Sequence, residues 1–236
     1  MNVGISVVKM KSAFAALTCV VLAASQTVVA KPAEQVPAAA QQSAEPALNM
    51  IEAYAGKDRI DFKKLKQQEK RPIVALVLGS GGARGYAHIG AIQVLEANGI
   101  KPDFIVGTSA GSIVGTLYAS GLNAEEMREI ALNMKPNDVR EIRLAKKGVL
   151  DGKKVEEYVN KQVNNTPLEL LKTPMYVVAT ELQQGRKMVF NAGNTGQAVR
   201  ASVSIPSMFI PAVINHQEYV DGGLVSPVPV DVARDL

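Results

Sequence analysis

A serine between two glycines is the residue best suited to chemistry in this chain. The segment Gly107–Gly111 follows the apolar run Phe104–Val106, precedes a helical stretch, and carries Ser109 at its centre. A serine on such a strand-to-helix turn projects its hydroxyl out of the sheet, and the flanking glycines permit the strained backbone and close helix packing. This arrangement is typical of a nucleophile that attacks an acyl group.

A glycine-rich loop precedes the serine motif. The segment Gly79–Gly85 follows the apolar run Ile73–Leu78, and consecutive glycines can turn several backbone N–H groups towards one point. The spacing does not match a dinucleotide loop, because Arg84 stands three residues after Gly81 where a glycine is required. It is not a P-loop either, since no Gly-Lys-Ser/Thr follows. An oxyanion hole for a tetrahedral intermediate fits better.

The candidate bases are one aspartate and the two histidines. Asp221 follows the last clear predicted strand and precedes two glycines, a pattern that also suits an ordinary turn. In an α/β-hydrolase triad the acid precedes the histidine, whereas Asp221 follows His216, at the tip of a predicted hairpin. His88 lies in the helix after the glycine loop, where a buried structural histidine is the commoner case. A dyad of Ser109 with Asp221 uses all three motifs, and dependence on His216 stays open.

The elements that must position these residues alternate between strands and helices from Arg71 onward. The run Ile73–Leu78 has no polar alternation, which is typical of a strand buried on both faces of a parallel sheet. The stretch Tyr86–Ala97 predicts a helix, and Asn123 with a glutamate three residues later predicts a capped helix start. Strands separated by helices predict a three-layer α/β/α domain with a mainly parallel central sheet.

Composition excludes several classes of protein. The chain has 236 residues, 47% of them hydrophobic and 20% charged, which excludes a disordered or fibrous protein. A net charge of +4 without a basic run gives no indication of nucleic-acid binding. The single cysteine, Cys19, excludes a disulfide framework and a Cys-based zinc site, and two histidines argue against a His-built metal cluster. We therefore predict neither a cofactor nor a metal.

The N-terminal residues predict export. Lys9 and Lys11 precede the apolar run Ala13–Ala24, and small residues up to Ala30 follow, which is the order of a signal peptide over residues 1–30. The apolar run falls short of the roughly 20 residues that span a bilayer. We expect a periplasmic or secreted protein, or a membrane-anchored one if the signal is not cleaved. Residues 31–70 are interpreted as a linker and a lysine-rich, solvated approach segment, and the domain is placed at 71–236.

With its three motifs in this order, the chain resembles the patatin-like phospholipases. In particular, it resembles an exported bacterial member with a neuropathy-target-esterase-like patatin domain. Gly-Gly-Ala-Arg-Gly, Gly-Thr-Ser-Ala-Gly and Asp-Gly-Gly occur in that order, and Ala201-Ser202 and Ile205–Pro211 also match the family pattern. The resemblance implies Ser109 as nucleophile and Asp221 as base. It implies an oxyanion hole from the N–H groups of Gly81, Gly82 and Ala83, and motif or support roles for Ser80, Arg84, Gly85, Gly107, Gly111, Gly222 and Gly223.

The resemblance also implies a function. Family members hydrolyse acyl esters of phospholipids and lysophospholipids without a metal, so the expected partners are such a lipid and, transiently, a membrane surface. Ser80 stands where many members have glycine, and family domains usually extend further than Leu236, so we expect the C-terminal strand and helix to be missing. The alternatives are a non-catalytic lipid-binding module and a Ser-His-Asp esterase for small soluble esters.

Overall fold

The computed structural model describes residues 49–50, 62–139, 142–145 and 148–236. Its strands are β1 Asn49–Met50, β2 Ala75–Leu78, β3 Phe104–Thr108, β4 Ile142–Ala145, β5 Gly148–Leu150, β6 Met175–Glu181, β7 Lys187–Phe190, β8 Ala212–Ile214 and β9 Gln217–Asp221. Its helices are α1 Phe62–Glu69, α2 Tyr86–Ala97, α3 Ala110–Ala119, α4 Ala124–Asn133, α5 Pro136–Val139, α6 Lys153–Gln162, α7 Thr195–Val203 and α8 Val230–Asp235. Short 3-10 helices lie at Gly82–Gly85, Leu168–Leu170 and Gly222–Leu224.

The central sheet is mixed, with a parallel core. In the described part of the chain, seven strands form one sheet in the order β1-β7-β6-β3-β2, with β9 on β6 and β8 on β9. Strands β2, β3 and β6 run parallel because the connections between them carry helices. Strand β6 runs antiparallel to β7 and β9. The predicted α/β/α fold is confirmed, with antiparallel strands added to the parallel core.

Helices cover both faces of this sheet because alternate residues of its strands point to opposite sides. Ile105 and Val177 belong to a core that includes buried residues of α2, α3, α4, α6 and α7. Phe104 and Tyr176, their neighbours along the same strands, belong to a second core with residues of α1 and α8. The sheet therefore holds the ends of β2, β3 and β9, which carry the three motifs, between two layers of helices.

Helix α1 differs from the expected solvated approach segment. Phe62 is only 4% exposed, its ring centroid lies 4.3 Å from that of Phe104, and Leu65 packs against the same core one turn later. Two apolar residues spaced three apart are enough to bury one face of a short helix, although they barely alter a lysine-rich composition. Residues 62–69 therefore pack with the domain that was predicted to begin at residue 71.

The remainder of the predicted N-terminal organisation lies largely outside the described residues. The predicted signal peptide at 1–30 and the predicted linker up to residue 48 both lie outside them. Strand β1, which falls within the predicted linker and approach segment at 31–70, pairs in parallel with β7. Among the described residues, no helix combines the length and hydrophobicity needed to cross a membrane.

Replacement of Phe62 by alanine tests whether α1 is part of the domain. We expect Phe62→Ala to lower the free energy of unfolding by about 3 kcal/mol, because it removes a buried ring from the contact with Phe104 and Tyr176. Lys66→Ala, an exposed position on the same helix, should change it by less than about 0.5 kcal/mol. Urea unfolding measures both values. Equal stability of the two variants would show that α1 does not contribute to the fold.

Candidate active site

The candidate site lies where two strands meet end to end along one edge of β6. Parallel β3 pairs with β6 up to Thr108 opposite Val178, and antiparallel β9 pairs with it up to Asp221 opposite Ala179. Strand β7 occupies the other edge of β6 at the same residues. Since β3 and β9 run in opposite directions, the carboxyl ends of both strands lie at this point on the edge of β6. Ser109, which follows β3, therefore becomes a neighbour of Asp221 across 112 positions of sequence.

Ser109 occupies a sharp, strained turn between β3 and α3. Its φ is 53° and its ψ is −120°, a conformation that costs a non-glycine residue about 1–3 kcal/mol and persists only when the surroundings enforce it. The close approach of α3 to β2 enforces the turn, because a Cβ atom on Gly111 would lie 2.1 Å from the Leu78 carbonyl oxygen. Similarly, a Cβ atom on Gly107 would lie 2.6 Å from the Gly111 carbonyl oxygen. Both glycines of the motif are therefore required by packing.

The serine and the aspartate are in direct contact. The Ser109 hydroxyl donates to Asp221 Oδ2 at 2.6 Å, and the two residues are 5% and 7% exposed. The other carboxyl oxygen, Oδ1, accepts from the Gly223 N–H at 2.7 Å. The Thr180 hydroxyl donates to the Asp221 carbonyl oxygen at 2.8 Å. The carboxyl group is thus held with one oxygen on the serine hydroxyl and the other on the glycine turn.

The environment makes the Asp221 carboxylate a better base than an exposed aspartate. Burial raises the pKa of Asp221 above its ordinary value, and the hydrogen bonds from Ser109 and Gly223 offset only part of this effect. A carboxylate with a higher pKa accepts a proton from an alcohol more readily. The arrangement can therefore remove the Ser109 proton as the oxygen attacks an electrophile.

The glycine loop is packed between the serine turn and the aspartate turn. At its end, a Cβ atom on Gly85 would lie 2.5 Å from the Ala110 Cβ atom, in the residue after Ser109. At its start, the Ser80 N–H donates to the Pro227 carbonyl oxygen at 2.7 Å. The Ser80 hydroxyl oxygen would lie 3.2 Å from a Cβ atom on Gly223. The predicted motif residues therefore converge, with Ser80 accommodated beside the aspartate turn.

Within this loop, the predicted oxyanion residues begin a short 3-10 helix. Gly81 and Gly82 have φ values of 155° and 55°, and the second of these lies in the left-handed region that favours glycine. The first N–H groups of a helix have no partner within it, so Gly82 and Ala83 present donors at an exposed position. The Arg84 side chain is exposed in the same loop.

Neither histidine is placed to act between the serine and the aspartate. His216 lies exposed in the turn between β8 and β9, roughly 16 Å from Asp221 at the rise of an extended strand. His88 Nε2 donates to the Gly79 carbonyl oxygen at 2.9 Å and so supports the glycine loop. Within the described residues, no three His, Cys, Asp or Glu side chains are grouped so that they could hold a metal ion.

Two serines of α7 and the loop after it contact the site, and sequence reasoning assigned a role to neither. The Ser109 N–H donates to the Ser202 hydroxyl at 2.8 Å, and the Asp221 N–H donates to the Ser204 carbonyl oxygen at 2.9 Å. The resemblance had singled out the Ala201-Ser202 pair as part of the family pattern without a reason for it. The structure supplies one, since the Ser202 hydroxyl accepts from the Ser109 N–H, and the residue after the helix accepts from the Asp221 N–H.

Comparisons with known proteins match most of the described domain. A family model described as "Patatin-like phospholipase" matches residues 76–234. An uncharacterized NTE family protein of Mycobacterium tuberculosis is 36% identical over 162 residues, which cover 67% of this chain and 45% of that protein. The human patatin-like phospholipase domain-containing protein 6 is 30% identical over 185 residues, which cover 75% of this chain and 13% of that protein. The chain thus spans less than half the length of either relative.

A solved structure supports the fold. The crystal structure of VipD from Legionella pneumophila matches with a TM-score of 0.50 at 14% sequence identity, over 64% of this chain and 45% of that one. At this identity the likeness concerns the fold alone.

Proposed function

Because the chain belongs to the patatin-like phospholipase family, we propose that it is a serine acyl hydrolase that releases fatty acids from phospholipids or lysophospholipids. In this proposal Ser109 is the nucleophile and Asp221 is its general base, without a metal ion. The N–H groups of Gly81, Gly82 and Ala83 form the oxyanion hole, and Arg84 fixes the loop or attracts a lipid phosphate. The observation that carries the proposal is the 2.6 Å hydrogen bond from the Ser109 hydroxyl to Asp221 Oδ2 in a buried site.

The first half of the reaction acylates the serine. As Ser109 Oγ attacks the ester carbonyl carbon, its proton passes to Asp221 Oδ2, and the carbonyl π electrons move onto the oxygen. The glycine-loop N–H groups stabilise this oxyanion, and each such donor typically contributes about 3 kcal/mol to the transition state. Collapse of the intermediate breaks the bond to the leaving alcohol, which takes the proton from Asp221. An acyl-enzyme on Ser109 and a free alcohol, such as a lysophospholipid, result.

The second half regenerates the enzyme with water. Asp221 accepts a proton as the water oxygen attacks the acyl carbon, and the same N–H groups stabilise the second oxyanion. Collapse expels Ser109 Oγ, which recovers the proton from Asp221, and the fatty acid leaves. One carboxylate therefore serves as base and then as acid in each half.

The pH dependence of hydrolysis follows from the burial of Asp221. Only the ionised carboxylate can accept the serine proton, so kcat/KM should fall as the pH decreases through the raised pKa of Asp221, above its ordinary value of 3.8. His216→Ala should leave this acid limb unchanged, because the imidazole lies in an exposed turn. The pH profiles of kcat/KM for the wild type and for His216→Ala measure this acid limb. Loss of the acid limb in His216→Ala would contradict the dyad and support a mechanism that depends on the histidine.

Export and membrane contact complete the proposal. Residues 1–30 have the composition of a signal peptide, which would place the enzyme in the periplasm, outside the cell or at the membrane. Its substrates are amphipathic and gather in bilayers or micelles, so the enzyme must approach a lipid surface transiently. Both statements concern the whole protein, of which the described domain is the catalytic part.

Fatty-acid release from defined lipids tests the proposal. The full chain would be incubated with phosphatidylcholine vesicles, with lysophosphatidylcholine and with a short soluble ester such as p-nitrophenyl butyrate. Release of fatty acid from either lipid at a higher kcat/KM than from the short ester supports the proposal. Hydrolysis of the short ester alone would favour a small-ester esterase. If the chain bound vesicles but neither hydrolysed an ester nor was labelled by a fluorophosphonate, a non-catalytic lipid-binding module would be favoured.

A further inference from the structure

Ser202 fixes the backbone of the proposed nucleophile. The Ser109 N–H donates to Ser202 Oγ at 2.8 Å, and the Ser202 hydroxyl donates to the Val178 carbonyl oxygen at 2.6 Å. Ser202 is fully buried at 0% exposure, so no water competes for these bonds. The hydroxyl therefore links α7, the nucleophile turn and the middle of β6.

The chemistry of a hydroxyl group fixes the direction of this link. A serine hydroxyl has one proton to donate and lone pairs to accept with. Because the carbonyl oxygen of Val178 can only accept, the Ser202 proton must point to it. A lone pair is thereby directed to the Ser109 N–H, which can only donate. Alanine at position 202 would leave the buried N–H without an acceptor.

The Val178 carbonyl marks the junction of the two strands that bring the site together. Val178 pairs with Thr108 at the end of β3, and the next residue of β6 pairs with Asp221. A Cβ atom on Gly222 would lie 2.2 Å from the same Val178 carbonyl oxygen. Ser202 therefore ties the nucleophile to the point of the sheet against which the aspartate turn is packed.

The strain at Ser109 makes this contact consequential. A residue at φ 53° keeps its conformation only if both ends are held. Its carbonyl oxygen accepts from the Ser112 N–H at 2.8 Å and from the Ser112 hydroxyl at 2.6 Å. Its N–H is held by Ser202. Loss of the second anchor frees the turn to rotate, which moves Oγ relative to Asp221 and to the glycine loop.

Helix α7 is itself anchored, which makes it a rigid support. Arg200 donates to Asp151 Oδ1 at 3.1 Å and to Glu156 Oε2 at 3.2 Å, and so joins α7 to the start of α6. We infer that Ser202 is a positioning residue for the proposed reaction, one that sets the direction of the Ser109 hydroxyl through the Ser109 amide. This inference rests on the proposed function for its effect on rate and on geometry alone for the contact.

Ser204 provides a matched control for Ser202. It is also 0% exposed, but its hydroxyl donates only back along the same segment, to the Arg200 carbonyl oxygen at 2.7 Å. Its contact with Asp221 uses its backbone oxygen, which survives truncation of the side chain. Ser202→Ala and Ser204→Ala therefore remove the same buried group, and only the first removes a contact with the nucleophile.

The test compares kcat and KM of the two variants in the full chain. Rates would be expressed per Ser109 titrated with a fluorophosphonate, so that partial unfolding does not count as lost activity. We expect Ser202→Ala to lower kcat by about 10- to 100-fold, the scale of a small misplacement of the reacting atom. KM should change little, and Ser204→Ala should keep the wild-type kcat. Equal kcat values for the two variants would overturn the inference.

A second measurement needs no variant. Hydrogen exchange of the Ser109 amide, followed by NMR in the wild-type protein, should be slow, because this N–H is buried and bonded to Ser202. Exchange as fast as that of exposed amides would contradict the contact itself. If the wild type released no fatty acid, the proposed function would fail, while this exchange rate and the rate of fluorophosphonate labelling would still decide the positioning role.

Discussion

Replacement of Ser109 by alanine is expected to lower fatty-acid release by at least about 10³-fold and to abolish labelling by a fluorophosphonate. Alanine lacks the oxygen that attacks the ester in the proposed reaction. The variant should remain folded, because the backbone contacts that hold the turn involve the Ser109 N–H and carbonyl oxygen, which alanine retains. Circular dichroism and a thermal melt would establish this before activity is measured.

Ser120→Ala is the matched control for this variant. Ser120 follows the same helix, α3, and its hydroxyl donates to the Leu117 carbonyl oxygen at 2.7 Å, at the end of the helix remote from Ser109. We expect wild-type labelling and hydrolysis in Ser120→Ala. Labelling that persisted in Ser109→Ala would assign the nucleophile to another residue and contradict the proposed mechanism.

Replacement of Asp221 by asparagine is the second large effect, and its two consequences have opposite signs. Fatty-acid release should fall by at least about 10³-fold, because an amide cannot accept the Ser109 proton. Stability at neutral pH should be equal or greater. Burial raises the pKa of Asp221, so its stabilising contribution is present below the unfolded-state pKa and is lost as the pH rises through the folded-state pKa. Asparagine has no charge to bury.

Asp231→Asn provides a control of opposite sign. Burial raises the pKa of Asp231, but hydrogen bonds from Lys187 and Ser226 outweigh it and leave the pKa below its ordinary value. This carboxylate stabilises the fold above its unfolded-state pKa, and the contribution is lost as the pH falls through the folded-state pKa. Asp231→Asn should therefore be slightly less stable at neutral pH and still active.

Urea unfolding and fatty-acid release at pH 7 distinguish these outcomes. The expected pattern is an inactive, fully stable Asp221→Asn and an active, slightly weakened Asp231→Asn. An Asp221→Asn variant that hydrolysed lipid at a near wild-type rate would exclude Asp221 as the general base and favour a mechanism that depends on His216. An Asp221→Asn variant that failed to fold would show that the carboxylate is needed by the structure itself.

Local motifs could be predicted from sequence because they depend on neighbouring residues. The cap at Asn123 is an example: its side chain accepts from the Glu126 N–H at 2.9 Å, and Glu126 Oε2 accepts from the Asn123 N–H at 2.8 Å, as the spacing predicts. The α/β/α fold was predictable for a similar reason, because helix-bearing connections favour a parallel core. The glycines around Ser109 marked a turn whose backbone demands are equally local.

Other features depend on contacts that no local spacing records. One face of helix α1 is buried because Phe62 packs against Phe104 and Tyr176 on one face of the sheet. The lysine-rich composition of α1 does not indicate this contact. Ser202 contacts Ser109 across 93 positions. Sequence could place it in a family pattern but could not say what its hydroxyl touches.

The sequence by itself therefore determined the chemical groups and the local turns that present them: a serine elbow, a glycine loop and an aspartate before two glycines. The tertiary structure alone decided which of them meet. Strands β3 and β9 end against adjacent residues of β6, so Asp221 contacts Ser109 while His216 is left in an exposed turn. The physical reason is range: φ/ψ preferences and helix caps act over a few residues, whereas the partner of a side chain is set by strand pairing and burial summed over the whole sheet.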